Sequence, residues 1–377
     1  MSINLHSKLE LDGSYKLIQL TPDLMETLKD DSLSSTMRFK SLDKAKADVV
    51  LCSEDKTWII REKSHSNTVM LMHEFASEGN PVNNIVINGV PDPTSDFLGF
   101  SKTTFEYETR PANGQLNLDL VPIYNGEMNF TVDSTKLFTT KQELLDNSPC
   151  SIKEYRKNWA KVGGSVINGQ ICILSAEFLA KSLHVTLMSI MAESLDLDIL
   201  SLDKVFDAVE KGFDEDFNPY TKEVIKTVIR KFGISNESND NDKSTYKLNM
   251  LPIAKWYGIR ALKKYVSKTS MSQDEFLTNW KSLFPPFFPC DIDINMLRGW
   301  FYKPTGSNIQ YISKETMPMD IKDRFKMLFK LQSQWELEDI RPFIEELNVK
   351  GLKIDNFIMK YARRKKIGNS KIIVTSR

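Results

Sequence analysis

Six cations near the end of the chain, Lys360, Arg363, Arg364, Lys366, Lys371 and Arg377, lie in a stretch from Phe357 onward that holds no acid. Lys and Arg without neighbouring carboxylates suit one chemistry above others. They neutralise a phosphate backbone and release its counterions, which gives affinity but little sequence choice. On a helical wheel Lys360, Arg363 and Arg364, spaced i, i+3, i+4, share one face with Lys366 at its margin. Ile354, Phe357, Ile358, Tyr361 and Ala362 share the other. Asp355 can cap the start of such a helix and Gly368 can close it. The spacing therefore predicts a docked basic helix, with Lys365 snorkelling from its apolar side and a short β-prone tail carrying Lys371 and Arg377. The competing reading of the same run is a solvated charged face.

Other chemistries find little support. Neither G-x-x-x-x-G-K-[ST] nor G-x-G-x-x-G occurs, so no nucleotide cradle is expected. His73-Glu74 begins H-E-x-x-H, but Ser77 stands where the second histidine belongs. Asp291 with Asp293, and the run Asp214-Glu215-Asp216, invite a metal reading. Acids ahead of a helix are more often caps and dipole partners, and acidic turns are more often solvated. The four histidines form no recognisable nucleophilic pattern with Cys or Ser, so no such constellation is visible. The expectation is a protein without cofactor, metal or catalytic residues.

The elements that must position these residues follow from length and composition. At 377 residues the chain exceeds one ordinary core, and Lys plus Arg balances Asp plus Glu at 50 each, so charge must be segregated locally. Cys52, Cys150, Cys172 and Cys290 are far apart and read as reduced, buried thiols. No membrane span is expected, because the most apolar helix, near Leu183 to Ala192, is short and interrupted. The first residues show no sign of a cleaved leader.

The fold class expected is α+β and multidomain. Residues 1–126 read as a β-rich domain: short runs at Tyr15 to Leu20, Met37 to Leu42, Ala47 to Cys52, Thr57 to Arg61 and Thr68 to Phe75, then Ile85 to Ile87, Phe97 to Thr103, Phe105 to Glu108 and Leu116 to Leu120. Pro22 starts one helix through Lys29. Asn113-Gly114 reads as a hairpin turn, and Thr68 to His73, nearly all apolar, as a strand buried on both faces. Short irregular strands leave open edges, so the domain reads as an incomplete β-barrel or sandwich that partner chains complete. A self-contained β domain is the alternative. Trp58, Trp159 and Trp256 are expected in cores.

Residues 127–147 form a polar connector. Residues 148–250, 251–317 and 318–377 then repeat one order of elements, helices followed by a hairpin, which is a helix-turn-helix with a wing. Asn168-Gly169 turns a hairpin ahead of the first set of helices, whose wing is the loop Asn236 to Ser244 and the strand Thr245 to Asn249, and Thr305-Gly306 turns the second wing. Ser272 and Glu275 form a capping box, and Asp291 to Trp300 supplies a short helix.

Several stretches carry a family likeness: W-K-S-L-F-P-P-F-F-P-C-D-I-D-I-N-M-L-R-G-W (Trp280 to Trp300), L-M-S-I-M-A-E-S-L-D-L, L-Q-S-Q-W-E-L-E-D-I, F-I-M-K-Y-A-R-R-K-K, S-Y-K-L-I-Q-L-T-P and L-C-S-E-D-K-T-W. With them the chain resembles, over nearly its whole length, the "defective in sister chromatid cohesion" family. These are accessory subunits of the alternative (chromosome transmission fidelity) replication factor C-like clamp loader. The resemblance implies an N-terminal part that shares a β-barrel with the small cohesion subunit and the C-terminal end of the loader's large ATPase subunit. It implies three tandem winged-helix domains that connect the loader to the catalytic subunit of DNA polymerase epsilon and to DNA. The sliding clamp is then an indirect partner, the location the nucleus, and the role cohesion and the replication checkpoint. The rival to DNA contact is a set of winged helices that bind protein alone.

Overall fold

The computed structural model describes residues 2–7, 15–30, 36–43, 48–75, 93–130, 137–138, 140–213, 217–236, 244–348, 352–367 and 371–377. These form two compact units, Met1–Tyr124 with Asn129–Ile173, and Asn125–Met128 with Leu174–Arg377. The class is mixed α and β, with several small sheets.

The first unit is built on a long antiparallel ribbon of β5 (Thr57–Phe75) and β6 (Pro93–Ala112). At 19 residues β5 runs about 60 Å. β4 (Asp48–Cys52) and β3 (Arg38–Asp43) extend the ribbon on one side, giving the order β1-β6-β5-β4-β3. β1 (Ser2–Ser7) and β2 (Ile18–Gln19) pair in parallel with successive parts of β6 on the other. No barrel closes among the described residues.

Runs expected as separate strands are thus continuous. Thr57 to Arg61 and Thr68 to Phe75 join in β5, and Phe97 to Thr103 and Phe105 to Glu108 in β6. The polar breaks are absorbed as register shifts between Ser64 and Val69 and between Leu71 and Met72, a bulge rather than a turn. The run Ile85 to Ile87 lies outside the described residues. Thr68 to His73 does not meet the expectation of burial on both faces: Val69 is 38% and Met72 48% exposed, because no described residue packs over that part of the ribbon. α1 (Pro22–Lys29) covers the other end with Leu24, which packs on Leu51 and Trp58.

Leu116 to Leu120 forms no strand, and Asn113-Gly114 no hairpin. Gly114 is needed for close approach instead: a Cβ there would stand 2.5 Å from that of Cys150, and its N–H donates to Glu154 at 2.8 Å. The rest of the first unit holds α2 (Lys141–Asp146), α3 (Ile152–Val162) and a three-stranded sheet. Its strands are β7 (Ile123–Tyr124), β8 (Gly164–Ile167) and β9 (Gln170–Leu174) in the order β7-β9-β8. Both helices start with full capping boxes, Thr140 with Glu143 and Ser151 with Glu154.

Glu154 also ties α3 to the ribbon. It accepts from Thr57 Oγ1 at 2.6 Å and from the Ser151 hydroxyl at 2.8 Å. Burial works against its charge, yet these hydrogen bonds outweigh burial and hold the carboxyl below its ordinary value. Lys40 on β3 makes a second tie, donating to the carbonyls of Leu145, Ser148 and Cys150 at 2.7, 3.2 and 2.9 Å.

The second unit repeats one order three times: helix, strand, two helical turns or helices, then two strands, with the third strand central in each sheet. The first module runs α4 (Ala176–Ala192), β10 (Leu200–Ser201), α5 (Leu202–Glu210), α6 (Lys222–Phe232), β11 (Gly233–Ser235) and β12 (Thr245–Leu248). In the second, α7 (Met250–Tyr265), β13 (Met271–Ser272) and α8 (Gln273–Lys281) lead to β14 (Phe301–Tyr302) and β15 (Asn308–Tyr311). The helix expected over Asp291 to Trp300 is only a tight 3-10 turn, Ile294–Leu297, with Asp293 as its cap. Arg298 after it is already extended and Gly299 is left-handed, so the turn ends there. Ser272 caps α8 as expected, accepting from the Glu275 N–H.

The third module contains α9 (Ile321–Leu331), β16 (Gln334–Glu336), α10 (Leu337–Ile344), α11 (Ile354–Met359), β17 (Ala362–Ile367) and β18 (Lys371–Ser376). It has a closed core of Phe325, Leu328, Trp335, Ile340, Phe343 and Ile358. Asp339, 8% exposed, locks it to the second module, accepting from Arg298 Nε and Lys303 Nζ at 2.9 Å each. Gly299, at φ +90°, lies against Pro342 at the same seam, where a Cβ would meet the Pro342 Cβ at 2.8 Å.

Trp58 and Trp159 are buried, whereas Trp256 is only partly covered, over Phe232. Cys52, Cys150 and Cys172 are buried free thiols, and Cys290 is partly buried. Among the described residues no helix is long and apolar enough to cross a membrane. None of their His, Cys, Asp and Glu side chains form a group of three able to hold a metal. Asp214 to Asp216 lie outside the described residues.

Candidate nucleic-acid interface

The basic segment is not one helix. α11 ends at Met359, Lys360 is its C-cap, and Ala362–Ile367 forms β17, paired along its whole length with β18. The expected basic helix is therefore corrected to a helix end plus a hairpin. The wheel that separated Lys360, Arg363 and Arg364 from the apolar residues took no account of Ile372, Ile373, Val374 and Thr375. These β-branched residues favour a strand and need a neighbouring strand to pair with. Packing of Ala362 and Val374 into the third core fixes the register.

A strand distributes its cations by alternation. Arg364 lies opposite Val374, itself opposite Trp335, so Arg364 and Lys366 lie on the face that carries the core. Arg363 and Lys365 lie on the outer face, opposite Thr375 and Ile373. The whole run from Arg363 to Lys366 is exposed, as are Lys360, Lys371 and Arg377.

The structure gathers all six expected residues on α11 and one hairpin, but they are not equally free. Arg364 reaches Asp355 at 3.6 Å, so Asp355 is an ion partner in the first turn and not the cap. Lys371 pairs with Glu336 at 3.1 Å, and Arg377 donates to the Met359 carbonyl. Lys360, Arg363 and Lys366 form no ion pair with another described residue, and nor does Lys365, which the wheel placed on the wrong side. The signal that would have found Lys365 is the period-two pairing of A-R-R-K-K-I with K-I-I-V-T-S. Arg363 and Lys365, two residues apart on one strand face, stand about 7 Å apart. That reach suits successive phosphates better than one carboxylate.

An α+β chain whose modules repeat one helix-and-hairpin order, with a cationic last hairpin and an open sheet in its first unit, is the class of protein this architecture defines. A family model described as sister chromatid cohesion protein Dcc1 matches residues 15–344. The chain belongs to that family. It is 56% identical to sister chromatid cohesion protein DCC1 of Saccharomyces cerevisiae over 384 aligned positions, covering 100% of both chains. It is 22% identical to the probable DCC1 of Dictyostelium discoideum, covering 93% of this chain and 91% of that one. With the Homo sapiens DCC1 it shares 23% identity, covering 93% and 85%. The family model ends at residue 344, before α11 and the basic hairpin, whereas the yeast likeness continues through them.

Proposed function

We propose that this protein is a non-catalytic accessory subunit of the alternative clamp loader, acting in the nucleus in sister chromatid cohesion and the replication checkpoint. In this reading it connects a complex that acts on the sliding clamp to the catalytic subunit of DNA polymerase epsilon and to DNA. The first unit's sheet is an incomplete barrel finished by the small cohesion subunit and the C-terminal end of the large ATPase subunit. The three modules of the second unit are winged-helix domains. Their element order, with the last strand central in each sheet, supports that assignment.

The observation that carries the proposal is the open sheet. Phe39 is 64%, Leu5 58% and Met72 48% exposed on strands whose edges do not close on one another. Such a surface calls for a partner. The test is co-expression of the full chain with the two loader partners. The double variant Phe39→Asp, Met72→Asp should melt like the wild type and lose partner capture by more than about thirtyfold. Full capture by the variant would sink the shared-barrel reading.

DNA contact rests on the hairpin. Lys360→Ala, Arg363→Ala and Arg377→Ala together should flatten the dependence of log K on log salt by about two to three units on duplex DNA. Unchanged DNA affinity would favour the alternative, winged helices that bind protein alone. The internal engagement of Arg364, Lys371 and Arg377 is the observation on that side.

A further inference from the structure

A second stretch of the chain is as one-sided in charge as the tail. Residues 244–273 hold Lys247, Lys255, Arg260, Lys263, Lys264 and Lys268 and not one acid. Lys247 is neutralised by Asp198 at 2.9 Å. The other five are all exposed, and none forms an ion pair with a described residue. Four of them lie on α7, whose opposite side buries Ala254, Tyr257, Gly258, Ala261 and Leu262. Lys268 follows α7 in the turn that leads to β13, and its carbonyl accepts from Gln310 of β15.

Aromatic rings hold this surface in place. Lys263 Nζ lies 6.0 Å from the Tyr311 ring centre, and Lys264 Nζ 4.9 Å from that of Tyr265. Trp256 lies on the same exposed side and is seated on Phe232 of the first module. A lysine over a ring is oriented but keeps its charge.

We infer that α7 and the turn after it form a second binding surface for the phosphate backbone of nucleic acid, independent of the β17 hairpin. Lys255 to Lys264 covers about 14 Å of helix axis. That matches about four base-pair steps of a duplex. Lysine is depleted from protein–protein interface cores, whereas protein–DNA interfaces are strongly cationic and take much of their affinity from phosphate contacts. Four lysines and one arginine with no acid among them therefore favour a polyphosphate over an acidic protein.

The test uses the full chain and a fluorescent duplex of about 30 base pairs, titrated from about 50 to 200 mM salt. Lys255→Glu, Lys263→Glu and Lys264→Glu together should weaken binding at least about tenfold near 100 mM salt. The loss should be similar in the wild-type background and in the one with Lys360→Ala, Arg363→Ala and Arg377→Ala. The triple arginine variant at 255, 263 and 264 should keep wild-type affinity. If charge reversal lowers the melting temperature, Gln at the same three positions carries the measurement. A loss from the α7 variant with none from the tail variant supports this surface and counts against the hairpin reading. Unchanged duplex affinity of the reversed variant overturns the proposal. So does loss of polyglutamate binding with duplex binding intact, which would assign the surface to an acidic protein.

Discussion

The six-stranded sheet of the first unit and the third module of the second unit treat their apolar residues in opposite ways. In the sheet, Leu24, Leu51 and Trp58 make up a small buried cluster, while Leu5, Phe39, Val69 and Met72 stay open to solvent. In the third module, Phe325, Leu328, Trp335, Ile340, Phe343 and Val374 are nearly or fully buried, and the exposed positions of its hairpin are largely cationic. A short sheet can bury a face only if another layer covers it. A helix pair folded over a three-stranded sheet supplies that layer within the module. The difference teaches where each region obtains its order: the module from its own helices, the sheet from the few ties at its base.

Three substitutions would break or sharpen that contrast. The largest effect is expected at Trp58, whose indole is fully buried and donates to Asp23 at 3.0 Å. Trp58→Ala should cost about 4 kcal/mol in chemical denaturation and unfold the first unit before the second. A single unshifted transition would mean that the small cluster is not what orders the sheet. Next is Asp339→Ala, which leaves Arg298 and Lys303 without their shared carboxylate. Both partners retain some solvent contact, so the loss should be about 2 kcal/mol, seen as earlier melting of the second unit alone. Equal melting of the variant and the wild type would show that the seam between modules is incidental.

The smallest effect concerns pH. Glu154 is held below its ordinary value by hydrogen bonds, so its contribution is complete above the unfolded value of about 4.3. It is lost as pH falls through the lower folded value. The wild type should therefore lose more stability on acidification below that point than Glu154→Gln, which has no charge there to lose. Parallel pH profiles would remove Glu154 from its role as the tie between ribbon and α3.

Sequence reasoning served helices better than it served the exposed parts of sheets. The caps at Ser272 and the turns at Asn168-Gly169 and Thr305-Gly306 stand where the residues place them, because a cap or a left-handed turn is a local requirement. Composition alone suggests burial for the apolar run Thr68 to His73. Burial needs a second layer, and the described residues do not provide one there. Asn113-Gly114 has the sequence of a hairpin turn, yet Gly114 serves the approach of Cys150 and Glu154, residues far along the chain.

The basic segment shows the same division. Its charge, its lack of acids and its place at the end of the last module follow from the residues alone, since charge belongs to residue type. Whether Arg363 to Lys366 wind as a helix or alternate along a strand was decided by Lys371 to Ser376, the strand beside them, and by the core that receives Ala362 and Val374. Helix pairing is settled within four residues, but strand pairing depends on what lies across the ladder. That is why the sequence by itself determined which residues could meet phosphate, and only the tertiary structure decided how they are presented.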